Sequence, residues 1–235
     1  ELDDSYKSIL ESLIHAGTEN EVKVVVKSIH SEYLDKENIS KKLFQLDGII
    51  VAPGFGQRGL DGKILAVEFA RVNKIPFLGI CLGMQMAVIE YARNVKKMRY
   101  ANSTEISEKC KDPVIDLMIS QKEIINKGGT MRLGAWDCEL EKNTKSYKSY
   151  KKKLISERHR HRYEFNNNYT DKIFDDKFII AGSNPDTKLV EIVENIDHPW
   201  FVGVQFHPEY KSSVYNPHPI FVNFVKASLK NYLNK

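Results

Sequence analysis

Cys81 lies in a setting that suits a cysteine nucleophile. It is the centre of Gly79-Ile80-Cys81-Leu82-Gly83, between an apolar segment and an amphipathic helical one. Glycines two residues to either side let a strand and the next helix approach each other at a tight turn. The N-terminus of that helix favours a thiolate, which matters because an ordinary thiol is mostly protonated at neutral pH. We therefore predict a nucleophile at Cys81, and we assign Cys110 and Cys138 to the small buried residues that most cysteines are.

A thiol nucleophile needs a base, and His207 is the candidate among the seven histidines. It follows the apolar run Phe201–Phe206 and precedes Pro208, so we expect it at the end of a core strand. Glu209 lies two residues further on, where its carboxylate can fix the tautomer of the ring. His-Pro-Glu alone is a weak signal, since a strand-end histidine beside a surface glutamate is the alternative. Together with the turn at Cys81 it predicts a catalytic triad.

The elements that would position these residues are of the α/β type. In the first half of the chain, apolar segments alternate with amphipathic ones, which predicts a parallel sheet covered by helices on both faces. The predicted strands are Val22–Val26, Ile49–Ala52 and Pro76–Ile80, and the predicted helices are Ser5–Ala16, Gly62–Val72 and Met84–Val95. Such a domain normally begins with a strand, so we expect a further strand ahead of Ser5.

The second half is predicted to add antiparallel strands, because its apolar segments are too closely spaced for long crossover helices. They are Val114–Ile119, Thr130–Leu133, Arg160–Phe165, Phe178–Gly182, Val190–Val193 and Phe201–Phe206, before a closing helix at Phe221–Leu233. The lysine-rich segment Lys142–Lys153 is predicted to be a solvated face or loop. We expect a single domain over residues 1–235, with a mainly parallel central sheet flanked by helices and antiparallel additions in the C-terminal half.

Composition narrows the classes of function. The chain has 235 residues, 42% hydrophobic and 28% charged, as is ordinary for a soluble globular protein, and its net charge of +4 is too small to indicate nucleic-acid binding. Three cysteines are too few, and uneven in number, for a disulfide framework, which favours a reducing cytoplasm. Their spacing is not that of metal ligands, so we expect no metal. The most apolar stretch, Ile75–Ala92, is interrupted by Pro76, Gly79 and Gly83, so no membrane span is predicted.

The motifs resemble those of class I glutamine amidotransferases, in which Gly-Ile-Cys-Leu-Gly is followed by Gln-Phe-His-Pro-Glu. Further blocks resemble the glutaminase domains of the CTP synthase family: Gly54–Gly59, Gly79–Gln85, Ala101–Glu105, Gly128–Gly134, Glu157–Glu164 and His198–Phe201. The resemblance runs in order from Asp4 to about Ala227 and implies a flavodoxin-like α/β fold.

The resemblance implies a role for each matching position. Cys81 would attack the side-chain amide of L-glutamine and release ammonia, and the glutamyl thioester would be hydrolysed to glutamate. His207 would act as base and then acid, and Glu209 would orient it. Backbone N–H groups of Gly54 and Leu82 would hold the oxyanion. The substrate-binding side chains would be Phe55, Gln85, Glu105, Arg162 and Tyr163, with Glu105 suited to the ammonium and Arg162 to the carboxylate.

The sequence departs from the family at one loop, and it lacks one motif. The family loop usually contains Pro-Gly-Gly-Phe-Gly, whereas this chain has Ala52-Pro53-Gly54-Phe55-Gly56. GTP, the family's allosteric activator, would act near Arg58 in this region. The chain has no Gly-x-x-x-x-Gly-Lys-[Ser/Thr] phosphate loop, so the resemblance implies that ATP, Mg²⁺ and UTP bind a separate N-terminal amidoligase domain. Ammonia would pass to that domain, and the full-length enzyme would be a homotetramer.

Three alternatives remain open from the sequence. The basic segment Arg158–Arg162 could bind nucleic acid, although its alternation sends successive side chains to opposite faces of a strand. A class I amidotransferase that serves GMP or anthranilate synthesis is a second alternative, which the CTP synthase blocks disfavour. A catalytically silent assembly module is the third, which the intact triad disfavours.

Overall fold

The computed structural model describes residues 6–117 and 131–235. The helices are α1 (Lys7–Glu19), α2 (Ile39–Leu43), α3 (Leu60–Val72), α4 (Leu82–Asn94), α5 (Lys145–Tyr150), α6 (Thr170–Ile173) and α7 (Pro219–Leu233). The strands are β1 (Ile49–Val51), β2 (Phe77–Ile80), β3 (Ala101–Ser103), β4 (Asp112–Leu117), β5 (Arg132–Leu140), β6 (Leu154–His161), β7 (Tyr163–Phe165), β8 (Phe178–Ser183), β9 (Val190–Asn195) and β10 (Phe201–Val204). Short 3₁₀ turns occupy Ser31–Tyr33, Asn167–Tyr169 and Pro208–Tyr210.

A seven-stranded sheet with the order β1-β2-β10-β9-β8-β5-β6 forms the centre. Strand β2 pairs in parallel with β1 on one side and with β10 on the other. The pairs from β10 through β9, β8 and β5 to β6 are antiparallel. This confirms the α/β class, with parallel strands beside Cys81 and antiparallel additions in the C-terminal half. The antiparallel part is the larger one in the described sheet, because short links join β8, β9 and β10.

A second sheet of three strands, in the order β3-β4-β7, stands beside the first. The sequence predicted one strand over Arg160–Phe165, which is wrong, because the chain leaves β6 after His161 and joins the other sheet at Tyr163. Arg162 is the link between the two sheets. The predicted strands Val114–Ile119 and Thr130–Leu133 correspond to β4 and β5. Parts of some predictions lie outside the described residues: 118–119 and 130 of these strands, Ser5 of the predicted first helix, and Gly128–Thr130 of the motif Gly128–Gly134.

The hydrophobic core has one layer on each face of the central sheet. Phe77 and Phe201 stack with ring centroids 4.4 Å apart in the layer under α3 and α4. Leu78 and Ile80, the alternate residues of β2, point into the other layer with α1 and α7. A strand covered on both faces is apolar throughout, which is why the segment before Cys81 has no polar alternation. Within the described residues, no helix is long and apolar enough to cross a membrane.

The strand predicted at Val22–Val26 is wrong, since these residues form no regular element and Val25 is 83% exposed. β-branched residues favour a strand only where a neighbouring strand supplies hydrogen bonds. A cavity of about 930 Å³ lies between this segment and β1, and its walls include apolar side chains of α1 and α7 such as Leu13 and Phe224. We call it the β1 cavity. The further strand expected ahead of Ser5 stays a prediction.

The lysine-rich segment Lys142–Lys153 is not only a solvated loop, because α5 lies within it. Thr144 caps this helix by accepting a hydrogen bond from Tyr147 N. The carboxylate of Glu194 accepts from Lys145 N at 2.8 Å and from Ser146 N at 2.7 Å, so β9 anchors the first turn. The lysine-rich composition of the segment gave no sign of this helix. The Glu194 contact could not be predicted from the local sequence, because Glu194 is almost fifty positions away.

Candidate active site

Cys81 stands at the turn between β2 and α4 in a strained backbone conformation. Its φ is 53° and its ψ is −104°, a region that few residues other than glycine adopt. Cys81 N donates to Val204 O at 2.7 Å, which ties the turn to β10. A Cβ at Gly79 would lie 2.7 Å from the Gly83 carbonyl, and one at Gly83 would overlap the carbonyl oxygen of Val51. At both flanking glycines, backbone atoms of a neighbouring segment therefore lie too close for a larger residue.

The sulfur lies at the N-terminus of α4, with Cys81 only 3% exposed. Met84 N and Gln85 N donate to Cys81 O at 3.1 and 3.2 Å, which closes the first turn of the helix. The positive end of the helix dipole points towards the sulfur and favours its anionic form. A fully buried amide, Gln205 Nε2, lies 3.6 Å from Cys81 Sγ.

His207 follows β10 and is buried beside Glu209. His207 N donates to Arg158 O at 2.8 Å, which holds the residue against β6. Its Nδ1 is 2.7 Å from Glu209 Oε1, and the Tyr210 ring stacks on the imidazole with centroids 4.9 Å apart. The residues predicted as base and orienter therefore form a direct, buried pair.

The charge state of His207 follows from its neighbours. Burial would lower the pKa of the imidazole, but the Cys81 and Glu209 side chains outweigh that effect and raise the pKa to about 10. Because Nδ1 faces Glu209, Nε2 is left to exchange protons, and it makes no hydrogen bond within the described residues. An imidazole whose pKa is raised in this way is protonated at neutral pH.

The two residues predicted to hold an oxyanion lie next to each other. Leu82 is the first residue of α4, so its N–H has no acceptor inside the helix. A Cβ at Gly54 would lie 3.5 Å from the Leu82 side chain and 3.4 Å from Lys63 Nζ. Lys63 Nζ donates to Ala52 O at 3.2 Å and steadies the loop after β1.

Glu105 connects the same loop to the second sheet. Its Oε1 accepts from Gly56 N at 3.2 Å, and Gln57 Nε2 donates to Ile106 O at 2.8 Å. Burial raises the pKa of Glu105, against the lowering effect of the Gly56 N–H and of Arg162. Phe55, which directly precedes Gly56, is 62% exposed.

Gln85 and Tyr163 are in direct contact, and Arg162 directly precedes Tyr163 in the sequence. Gln85 Nε2 donates to Tyr163 O at 2.9 Å and to Gln205 Oε1 at 3.2 Å. Arg162 Nε is buried and has no hydrogen-bond partner within residues 6–117 and 131–235. A cation in that state has a donor available for an anion. The structure thus brings four predicted substrate-binding residues to one region, with Phe55 at its exposed rim.

The sequence prediction missed a buried ring of five ionisable side chains. Arg132 Nη1 is 2.7 Å from Glu191 Oε1 and 3.6 Å from Glu164 Oε2, and His159 Nδ1 is 2.8 Å from His161 Nε2. Contacts of 3.6 Å from His159 to Glu191 and from His161 to Glu164 close the ring. The alternation of side chains along β6, which buries His159 and His161 on one face, could have predicted part of this ring. Glu191 could not be predicted in this way, because it comes from a strand distant in sequence.

The ring is largely neutral at its histidines. Burial lowers the pKa of His161 to about 3 and also lowers that of His159. Burial raises the pKa of Glu164 to about 8 and of Glu191 to about 7, with Arg132 acting in the opposite sense. Among the described residues there is no group of three or more His, Cys, Asp or Glu side chains that could hold a metal ion.

Sequence comparison defines the class of protein to which this fold and site correspond. A sequence model of the family described as Glutamine amidotransferase class-I matches residues 1–227. The chain therefore belongs to the class I glutamine amidotransferase family. The structure of a Thermoplasma acidophilum protein described as a GMP synthase subunit matches with a TM-score of 0.60 at 18% identity, over 96% of this chain and 90% of that one. At this low identity the match supports the fold and nothing further.

Within the family, the chain is similar to the glutaminase domain of CTP synthases. A structure of the Trypanosoma brucei CTPS glutaminase domain with bound acivicin matches with a TM-score of 0.92 at 38% identity, over 98% of this chain and 90% of that one. The CTP synthase of Christiangramia forsetii is 62% identical over 228 residues, which are 97% of this chain and 42% of that protein. This confirms the resemblance that the motif blocks predicted. The chain spans about two fifths of the length of the curated relatives it matches.

Proposed function

We propose that the chain hydrolyses the side-chain amide of L-glutamine to glutamate and ammonia. The observation that supports this most directly is a cysteine at the strained turn after β2, together with a buried His207–Glu209 pair that follows the neighbouring strand β10. A thiol nucleophile needs such partners, because one group exchanges the proton and another fixes the orientation of the base.

In the first half of the proposed reaction, the Cys81 thiolate attacks the amide carbon and a carbon–sulfur bond forms. The carbonyl oxygen takes up the electron pair, and the N–H groups of Gly54 and Leu82 stabilise it by about 3 kcal/mol each. His207 gives its Nε2 proton to the amide nitrogen. The carbon–nitrogen bond then breaks, ammonia leaves, and a glutamyl thioester remains.

In the second half, His207 takes a proton from water, and the water oxygen attacks the thioester carbon. The sulfur leaves with its electron pair as a thiolate, and glutamate is released. Glu209 keeps Nδ1 protonated, so that Nε2 exchanges protons in both halves.

The α-amino and α-carboxylate groups of glutamine fit the charged residues of the site. The unpartnered Nε of Arg162 suits the carboxylate, and Glu105 suits the ammonium. Both hydrogens of Gln85 Nε2 are used inside the protein. The other polar atom of that amide, Oε1, is a hydrogen-bond acceptor and therefore also suits the ammonium. Phe55 and Tyr163 would line the pocket.

For the whole protein, we propose that ammonia passes to an N-terminal amidoligase domain that aminates UTP to CTP. ATP, Mg²⁺ and UTP would bind that domain, and GTP would act as an allosteric activator near Arg58. The support is the similarity to CTP synthases that are more than twice as long as this chain. A cytoplasmic location and a homotetrameric full-length enzyme are part of the same proposal.

The test is glutamate release from L-glutamine by the wild type, by Cys81→Ala and by Cys138→Ala. Cys138 is also buried but lies away from the triad on β5, so it is the matched control. We expect release from the wild type and from Cys138→Ala, and none from Cys81→Ala. Equal release from wild type and Cys81→Ala would overturn the proposed nucleophile.

A further inference from the structure

We propose that Gln205 stabilises the thiolate of Cys81 by donating an N–H from its side-chain amide, and that Gln85 and Tyr163 impose the orientation of that amide. The proposal rests on the proposed function for its relevance to catalysis, whereas the interaction itself is testable without glutamine.

Gln205 is placed between the nucleophile and the wall of the pocket. It is completely buried and follows β10, two residues before His207. Its own backbone N–H donates to Glu191 O at 2.8 Å, so the main chain is held by β9. Its amide lies between Cys81 Sγ at 3.6 Å and Gln85 Nε2 at 3.2 Å.

The direction of the hydrogen bonds is determined by the Tyr163 carbonyl. A carbonyl oxygen can only accept, so the Gln85 atom 2.9 Å from it must be the nitrogen. That nitrogen can only donate, so the Gln205 atom 3.2 Å away must be the oxygen. The NH₂ group of Gln205 is thereby left to face the sulfur. The reverse orientation would place two NH₂ groups together and turn a carbonyl oxygen towards the sulfur.

An N–H directed at the sulfur favours the anion over the thiol. A hydrogen bond to a charged acceptor is stronger than one to a neutral acceptor, and burial from water increases the difference. Other charged groups also act on Cys81, namely His207 with Glu209 behind it, and Lys63 from α3. These groups remain when Gln205 alone is changed, so a comparison of variants isolates the amide.

The experiment measures alkylation of Cys81 by iodoacetamide as a function of pH, with the site identified by mass spectrometry. Gln205→Met keeps the length of the side chain and removes the donor. We expect its profile to move up by roughly one pH unit, with the rate about tenfold lower at pH values below the transition and the limiting rate at high pH unchanged. Gln205→Glu, which presents only acceptors when ionised, should move the profile further.

Gln85→Met tests the orientation, because it frees the Gln205 amide to rotate. We expect a shift between those of the wild type and Gln205→Met. Alkylation of Cys110 in the same samples checks that the reagent behaves alike, and circular dichroism checks folding. Should Gln205→Met unfold, Gln205→Glu decides the point, since it has nearly the same shape as glutamine.

A Gln205→Met profile that superimposes on that of the wild type would overturn the inference. The outcome is separable from the proposed function, because glutamate release is measured on the same proteins. A shifted profile in a protein that releases no glutamate would uphold the Gln205–Cys81 interaction and reject the hydrolysis.

Discussion

Cys81 is held in its strained conformation by the backbone around it. The glycines at 79 and 83 allow β2, α4 and β1 to come close enough for the turn to form. The turn places the sulfur at the start of the helix, where the Gln205 amide lies 3.6 Å from it. Strain of this kind persists only where the surrounding structure enforces it.

Gly83→Ala should therefore disturb the site more than an ordinary glycine substitution. Its methyl group would overlap the Val51 carbonyl, and we expect a loss of about 2–3 kcal/mol in the free energy of unfolding. Gly134→Ala is the control, because a methyl there meets nothing within 4 Å and only the φ of 84° is unfavourable. Denaturant unfolding would contradict the expectation if Gly83→Ala were as stable as Gly134→Ala.

Arg162 is the residue at which the chain crosses between the two sheets. Arg162→Met should raise the KM for glutamine at least tenfold and change kcat less, because a charge-assisted bond to the substrate is lost. Arg158→Met is the control, since that side chain is exposed on β6. Equal KM values for the two variants would remove Arg162 from the proposed pocket.

Strands β6, β7 and β9 meet at the buried ring, whose carboxyl groups titrate near neutral pH. The pKa of Glu164 is about 8 and that of Glu191 about 7, against an ordinary value of 4.5. The folded state thus binds these protons more tightly than the unfolded state. The stability they contribute is complete below pH 4.5 and is lost as the pH rises through 7 and 8.

The melting temperature should consequently fall between about pH 5 and pH 9, and fall by several degrees less in Glu164→Gln, which cannot ionise. Glu139→Gln is the control, because the Glu139 side chain is only partly buried and Lys153 lowers its pKa. Calorimetry across this range would refute the expectation if the wild type and Glu164→Gln had the same dependence on pH.

Local patterns predicted many elements but not the contacts between distant ones. The apolar run before Cys81 and the one before His207 identified β2 and β10, because both are buried on two faces. The division of Arg160–Phe165 between two sheets depends on which other strands lie nearby in the fold. The alternation of side chains along the sequence carries no information about those neighbours. The Glu194 cap of α5, the ring partner Glu191 and the contact of Gln205 with sulfur are all made across the fold.

At the scale of the whole molecule, the site lies where the parallel strands, the loop after β1 and the second sheet converge. The proposed nucleophile follows β2, the proposed base follows β10, and the residues proposed for the substrate come from both sheets. The β1 cavity lies on the opposite side of β1 from β2. Its walls include apolar side chains of α1 and α7 that one more strand could cover.

The strand expected ahead of Ser5 should fit the β1 cavity. We expect that joining to this chain the segment that precedes the matched region in the Christiangramia forsetii relative would raise the melting temperature. It would also slow hydrogen exchange at Ile50 N, because Ile49 N donates to Pro76 O on the β2 side and the next N–H along the strand points to the other side. The same segment with a central proline is the control, because proline cannot join a ladder. Unchanged exchange at Ile50 with both segments would contradict the expectation.

The central claim is that Cys81 is a nucleophile in a site that recognises glutamine. The most direct measurement is incubation with 6-diazo-5-oxo-norleucine, a reactive glutamine analogue, followed by mass spectrometry of the cysteine peptides. We predict a single adduct on Cys81, slowed by added L-glutamine and absent from Cys110 and Cys138. A folded protein that carries no adduct on Cys81, or labels its three cysteines equally, would contradict the account.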